Sequence, residues 1–167
     1  MKKLISCVMA VCMLLSFSAC GLIDVYAAKE KTFTKEGMSI TLTSAFSDED
    51  YEGYTACYDS IQVAVFTLRE PFADFEGLGI DTVKQYGELV RIANADSEPG
   101  ALIEEDGLLY FEYTAEGEEE GLIHGYMTFL FKGPDAFWIV QFCCEEDDFA
   151  DRKADFKKSA KTVTFAE

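Results

Sequence analysis

Ala136-Phe137-Trp138-Ile139-Val140-Gln141-Phe142-Cys143-Cys144 is an almost unbroken apolar run, with the turn-forming Gly133-Pro134-Asp135 before it and the acidic Glu145-Glu146-Asp147-Asp148 after it. Aromatic and β-branched residues held between turn signals read as a strand. Two further stretches carry the same signature: residues 108–114, and residues 122–131 after the loop Ala115-Glu116-Gly117-Glu118-Glu119-Glu120-Gly121. Three strands joined by connections this short form an antiparallel meander. On the C-terminal side the period changes. Phe149, Phe156 and Ala160 fall on one helical face behind a cap at Asp147 or Asp148, and Lys153, Lys157, Lys158 and Lys161 gather toward the helix end, where cations suit the macrodipole. Residues 162–165, Thr-Val-Thr-Phe, are expected to return to the sheet as a closing strand.

Working outward in the other direction, the domain begins near Thr32. Phe33 and then Met38, Ile40 and Leu42, alternating with Ser39, Thr41 and Thr43 after the turn at Glu36-Gly37, read as a half-buried strand. Residues 47–53 form an acidic loop, and residues 54–58 and 61–68 form a hairpin about Asp59-Ser60. Pro71 ends the strand character. From Asp81, a good N-cap, Val83, Tyr86, Val90 and Ala93 recur at helical spacing, with Leu89 and Ile92 widening the stripe, up to Asn94. This succession of strands and helices indicates an α+β domain with an antiparallel sheet.

The first residues are an export signal. Lys2 and Lys3 precede an apolar run over residues 4–15 and then the small residues Ser16, Ser18, Ala19 and Cys20. The run falls short of the roughly 20 apolar residues that span a bilayer. Two cleavage sites compete. Phe17-Ser18-Ala19-Cys20-Gly21 resembles a bacterial lipoprotein box, which makes 1–19 the signal peptide, Cys20 an acylated first residue and 20–31 a tether; Phe17 stands where such boxes usually carry Leu. Val25-Tyr26-Ala27 suits ordinary signal peptidase, which makes 1–27 the signal peptide. The expected location is therefore the extracellular face of a bacterial membrane, through a lipid anchor on Cys20, or the medium after cleavage at Ala27.

Cleavage at Ala27 leaves 140 residues with 12 basic and 30 acidic side chains, a formal charge of −18. That length fits one domain, and residues 32–167 are expected to form it. Such a charge repels nucleic acid and anionic lipid, whose recognition needs Lys and Arg, so neither is an expected partner. Glu116, Glu118, Glu119 and Glu120, and Glu145 through Asp148, have an economical reading as a soluble hairpin tip and as helix capping.

Chemistry-bearing motifs are sparse. His124 is the single histidine, which rules out a multi-histidine metal site and leaves acid–base work without its usual agent. No Gly-x-Ser-x-Gly elbow, Cys-x-x-Cys pair or spaced-aspartate calcium loop is present. No catalytic residue, metal ligand or cofactor site is assigned. Cys57, Cys143 and Cys144 remain after export. Cys143 and Cys144, adjacent in a strand, point to opposite sides, so at most one of them reaches Cys57; buried free thiols, a Cys57 bridge to Cys143 or Cys144, and a vicinal bridge all stay open. Tyr51, Tyr54 and Tyr58, beside the acidic loop, are the aromatic residues that stand apart from the core pattern and can line a contact surface.

The order of elements, with Gly37-Met38-Ser39-Ile40, Phe137-Trp138-Ile139-Val140-Gln141-Phe142 and Phe156-Lys157-Lys158-Ser159-Ala160-Lys161-Thr162-Val163 at its landmarks, resembles the PsbP-like family and in particular its small exported bacterial members of unassigned role. The resemblance implies an antiparallel sheet of about six strands with helices packed on it, an α/β/α sandwich. It transfers no functional residue, because members of the family do unrelated things. The expected function is a non-catalytic exported binding or accessory module, a monomer acting on an unidentified protein or envelope partner. The alternatives are a structural or envelope-maintenance protein, and an enzyme built on paired carboxylates with or without a metal.

Overall fold

The computed structural model describes residues 29–117 and 121–166. The export signal, both cleavage sites and Cys20 lie outside these residues. Among the described residues ten strands form two antiparallel sheets, where the sequence predicts one sheet of about six. The small sheet has the order β1 (Glu30–Lys35), β2 (Met38–Thr43), β10 (Thr164–Phe165), so the closing strand returns to a separate sheet from the meander. The large sheet has the order β3 (Ser47–Glu49), β4 (Ala56–Asp59), β5 (Ala64–Pro71), β9 (Ala136–Glu145), β8 (Ile123–Lys132), β7 (Leu108–Glu116), β6 (Ile103–Glu105).

Strands β7, β8 and β9 are the expected meander, and β9 is the central strand of the large sheet, paired along its length with β5 on one side and β8 on the other. Two acidic-glycine turns close hairpins by the same means. Glu36-Gly37 and Asp106-Gly107 hold positive φ at both positions (47° and 86°, 54° and 79°), the backbone twist that two-residue hairpins demand. The second of them creates β6. Residues 47–49, expected as loop, pair instead with β4 as a short, wholly exposed acidic edge.

The period-two pattern sends alternate residues of the large sheet to opposite faces. One face carries Tyr58, Val65, Tyr110, Met127, Phe129, Trp138, Val140, Phe142 and Cys144. The small sheet covers it with Phe33, Met38, Ile40 and Leu42, and helix α2 (Glu146–Ala160) with Phe149, Phe156 and Ala160. Helix α2 follows β9 directly; Glu146 already lies in its first turn and the preceding Glu145 makes no side-chain capping bond, so neither Asp147 nor Asp148 is the cap. Three acids in the first turn answer the exposed N–H groups electrostatically instead.

The second face carries Leu109, Phe111, Leu130 and Phe137 under helix α1 (Val83–Ala93) and a short 3-10 turn, Phe72–Phe75. Helices thus flank the large sheet on both faces. Thr82, one residue later than expected, caps α1: its hydroxyl accepts from Gln85 N at 3.2 Å while Gln85 Oε1 accepts from Thr82 N at 3.0 Å, a capping box. Tyr86 stacks on Phe137 with ring centroids 4.6 Å apart, and its hydroxyl donates to Glu70, which pins the helix to β5. Leu89 and Ile92, expected to widen the apolar stripe, are both exposed, Ile92 the more so.

Candidate functional site

Helix α1 covers only part of the second face. The remainder, over β4, β5, β9 and the far ends of β8 and β7, has no helix on it among the described residues. Register places its side chains in cross-strand rows. Tyr113, Tyr126 and Cys143 form one row and Phe111, Thr128, Gln141, Phe66 and Cys57 the next. Tyr113 and Tyr126 stack at 4.8 Å with their planes 8° apart. Tyr51 and Tyr54, from the acidic connection between β3 and β4, lean on Phe66 at 6.2 and 4.9 Å. Both tyrosines are about half exposed, at 52% and 46%. Between this aromatic rim and Val90 of α1 the surface dips into a concavity of about 200 Å³ whose floor is Phe66, Leu68, Ile139 and Gln141.

Gln141 organises the polar part of the floor. Its Nε2 donates to Tyr113 Oη at 2.8 Å and to Thr128 Oγ1 at 2.9 Å, which occupies both amide protons. What the side chain still has to offer a ligand is its carbonyl oxygen, and Tyr113, accepting from Gln141, keeps its own hydroxyl proton to donate. Burial pushes the Tyr113 phenol up to about 12, and burial with the neighbouring Cys143 raises Tyr126; burial likewise raises the Cys143 thiol. Every one of these groups is neutral at pH 7. The face therefore offers stacking, apolar contact and a few hydrogen bonds, the equipment of a binding surface.

The residues singled out in the sequence are distributed as follows. Tyr51 and Tyr54 are on the open rim. Tyr58 is not: it is 1% exposed, faces the opposite way and packs on Phe33 at 4.6 Å inside the first core. Cys57, Cys143 and Cys144 are free and buried. A Cys57 bridge to Cys143 or Cys144, one of the open alternatives, is not made, because β5 lies between β4 and β9: two strand spacings, about 9–10 Å, exceed the ~7 Å that a disulfide spans between Cα atoms. Cys144 also faces the sealed core, on the side opposite to Cys143, so the vicinal bridge is not made either.

His124 stands on β8 two residues before Tyr126, opposite Glu145 of β9, with a buried Nδ1 that has no hydrogen-bond partner among the described residues. Its ring presses on Gly117, where a Cβ would come within 2.5 Å. Asp59, Cys143, Glu145 and Asp148 line the concavity beside it, yet among the described residues no three His, Cys, Asp or Glu side chains are arranged to hold a metal ion. Glu116 has a local structural partner, accepting from Gly121 N at 2.9 Å across the hairpin tip, and residues 118–120 lie outside the described residues.

In the sequence Phe66, Tyr113, Tyr126 and Gln141 read as ordinary strand positions. The signal for one of them was present: Gln141 is the single polar residue within the run 136–144, and a buried amide there calls for partners on the neighbouring strand.

No protein-family model matches the chain, and no curated protein does. Solved structures match in fold. A crystal structure from Bacteroides thetaiotaomicron VPI-5482 superposes with a TM-score of 0.57 at 13% identity over 83% of this chain, and the chain spans about half of that protein, 49% of its length. The solution structure of cyanobacterial PsbP (CyanoP) from Synechocystis sp. PCC 6803 is similar over 89% of this chain and 98% of its own, with 15% identity and a TM-score of 0.47. What the chain shares with the Bacteroides protein is the fold alone, here an α+β fold with antiparallel sheets.

Proposed function

We propose that the chain is a non-catalytic binding or accessory module exported to the outer face of a bacterial membrane, held there through Cys20 or released after cleavage at Ala27, and that it binds its partner through the aromatic half-face of the large sheet. The observation that carries this reading is the contrast on a single sheet face. One half lies under α1, while the other presents Tyr51, Tyr54, Phe66 and Tyr113 around a shallow floor with unused hydrogen-bonding capacity. Aromatic residues with one apolar side and one polar tip are enriched at binding interfaces.

A photoreactive phenylalanine analogue placed at Tyr51 or at Tyr54 of the full chain in intact cells tests the reading. Illumination should yield a discrete adduct at either position and none at Leu78, which is exposed away from this rim. Equal adducts at all three positions, or none at 51 and 54, would overturn it. Cys20→Ser in the same cells should shift the chain from the membrane fraction to the medium; an unchanged membrane fraction would remove the lipid anchor from the proposal.

A further inference from the structure

The large sheet has a naked stretch of edge. Strand β6 pairs with β7 only from Leu108 to Tyr110, leaving the outer side of β7 from Phe111 to Glu116 without a strand partner among the described residues. A single backbone contact, Gly100 N donating to Glu112 O at 2.9 Å, is made there. Because inter-strand bonds alternate along an antiparallel strand, that contact fixes which residues face outwards: Glu112, and with it Thr114 and Glu116. This edge forms one wall of a cleft of about 780 Å³ whose other wall is the turn Asp96-Ser97-Glu98 and whose end is closed by Phe149 and Lys153 of α2. Four carboxylates line it, Asp96, Glu98, Glu112 and Glu116, against one ammonium, Lys153, that is already engaged with Glu112.

We infer that this edge is a second binding surface, distinct from the aromatic half-face, which takes an extended basic peptide segment by strand addition. Main-chain pairing supplies affinity in such complexes and alternate side chains supply selection. Glu112, Thr114 and Glu116 project to one side of β7, so a peptide with cations at every second residue sets them beside this acidic wall. The same charge discriminates between occupants. A second copy of this chain, with its formal charge of −17, would bring like charge to the edge, whereas a basic strand is attracted.

Hydrogen exchange of the full chain with two capped peptides tests this: one alternating lysine with threonine, the other the same peptide with every lysine backbone nitrogen methylated. Charge and length are equal, but a lysine opposite Thr114 or Glu116 turns its own N–H toward β7, so the second peptide lacks the donors that face the edge and cannot take up a paired strand. At about ten times its Kd the threonine peptide should slow exchange at the Thr114 and Glu116 amides about tenfold and the methylated peptide should not. Glu98→Lys should weaken the threonine peptide, and Tyr51→Ala with Tyr54→Ala should leave it unaffected, which separates this surface from the aromatic one. Equal protection by both peptides, protection absent from residues 114 and 116, or protection that follows protein concentration in place of peptide, as pairing with a second copy would give, overturns the inference.

Discussion

The two faces of the large sheet are made from the same strands, yet one is sealed and the other half open. On the sealed face the small sheet and α2 together bury Trp138, Phe142 and Phe129 to 1% exposure or less. On the other, one eleven-residue helix covers Phe111 and Phe137 and stops short of Phe66, Tyr113 and Tyr126. The difference shows where stability and recognition reside. A fully buried aromatic contributes its whole transfer free energy and packing, whereas a half-buried one has given up part of that stabilisation and remains available for a partner.

The sharpest way to break the contrast is a matched pair of truncations. Phe142 and Phe66 sit on neighbouring strands and face opposite ways. Phe142→Ala should cost about 3–5 kcal/mol, as buried aromatic truncations do, and Phe66→Ala about 1–1.5 kcal/mol, half a side chain's burial; urea denaturation measures both. Equal losses would mean that the open face is as much core as the other.

A second pair compares the helix contacts. At Gly125 an added Cβ would meet the Phe149 ring at 2.3 Å, and the ring is wedged between α2 and the sheet, so Gly125→Ala should cost about 1–3 kcal/mol in thermal denaturation. At Gly87 the added Cβ meets only the ends of Leu130 and Leu102, the nearer at 2.6 Å. Flexible tips can yield, and alanine returns up to about 1 kcal/mol of helix propensity, so Gly87→Ala should lie near zero. Below Gly125→Ala in size comes Thr82→Ala, which removes the capping box of α1 and should cost about 1 kcal/mol; exchange rates of the amides in the first turn of α1 report it.

The last effect is confined to alkaline pH. Burial, reinforced at Cys57 by the charge of Asp48 and at Cys144 by Cys143, pushes these thiols from an ordinary 9.0 up to about 11. The native state therefore holds these protons more tightly than the unfolded chain. Stability from this source is complete below pH 9 and is lost as pH rises through 11. Chemical denaturation at pH 8 and pH 10.5 should show the decline, and Cys57→Ala should reduce the pH dependence. A thiol reagent at pH 8 should leave the folded protein nearly untouched and find the three thiols of the domain once it is unfolded.

Much of the frame could be read directly from residues. The run from Ala136 to Cys144, the turn at Gly133-Pro134-Asp135 and the helical spacing of Val83, Tyr86 and Val90 in α1 each carry a local physical signal, and the meander and both helices stand where those signals place them. What escaped depends on partners distant in the chain. Phe33, Met38, Ile40 and Leu42 form a half-buried strand pair in either arrangement, and alternation alone does not say that they roof the large sheet instead of joining it. Strand β6 is hard to read even though Asp106-Gly107 is a strong two-residue hairpin signal, because three exposed residues, Ile103 to Glu105, carry no alternation to accompany it. Tyr58 was grouped with Tyr51 and Tyr54 by proximity, but a strand sends neighbours to opposite faces and the β4 register decided for the core. The aromatic half-face was invisible for a related reason: which face α1 leaves bare depends on the length of the helix and the tilt of its docking, and neither is written into the residues that remain uncovered.

The small sheet has a mechanical corollary. β1 and β10 flank β2, both antiparallel to it; β1 enters at the level of Thr43 and β10 leaves at the level of Met38. Traction applied to the two termini consequently pulls these outer strands in opposite directions along their common axis. The inter-strand bonds are then loaded side by side in shear, rather than unzipped one after another.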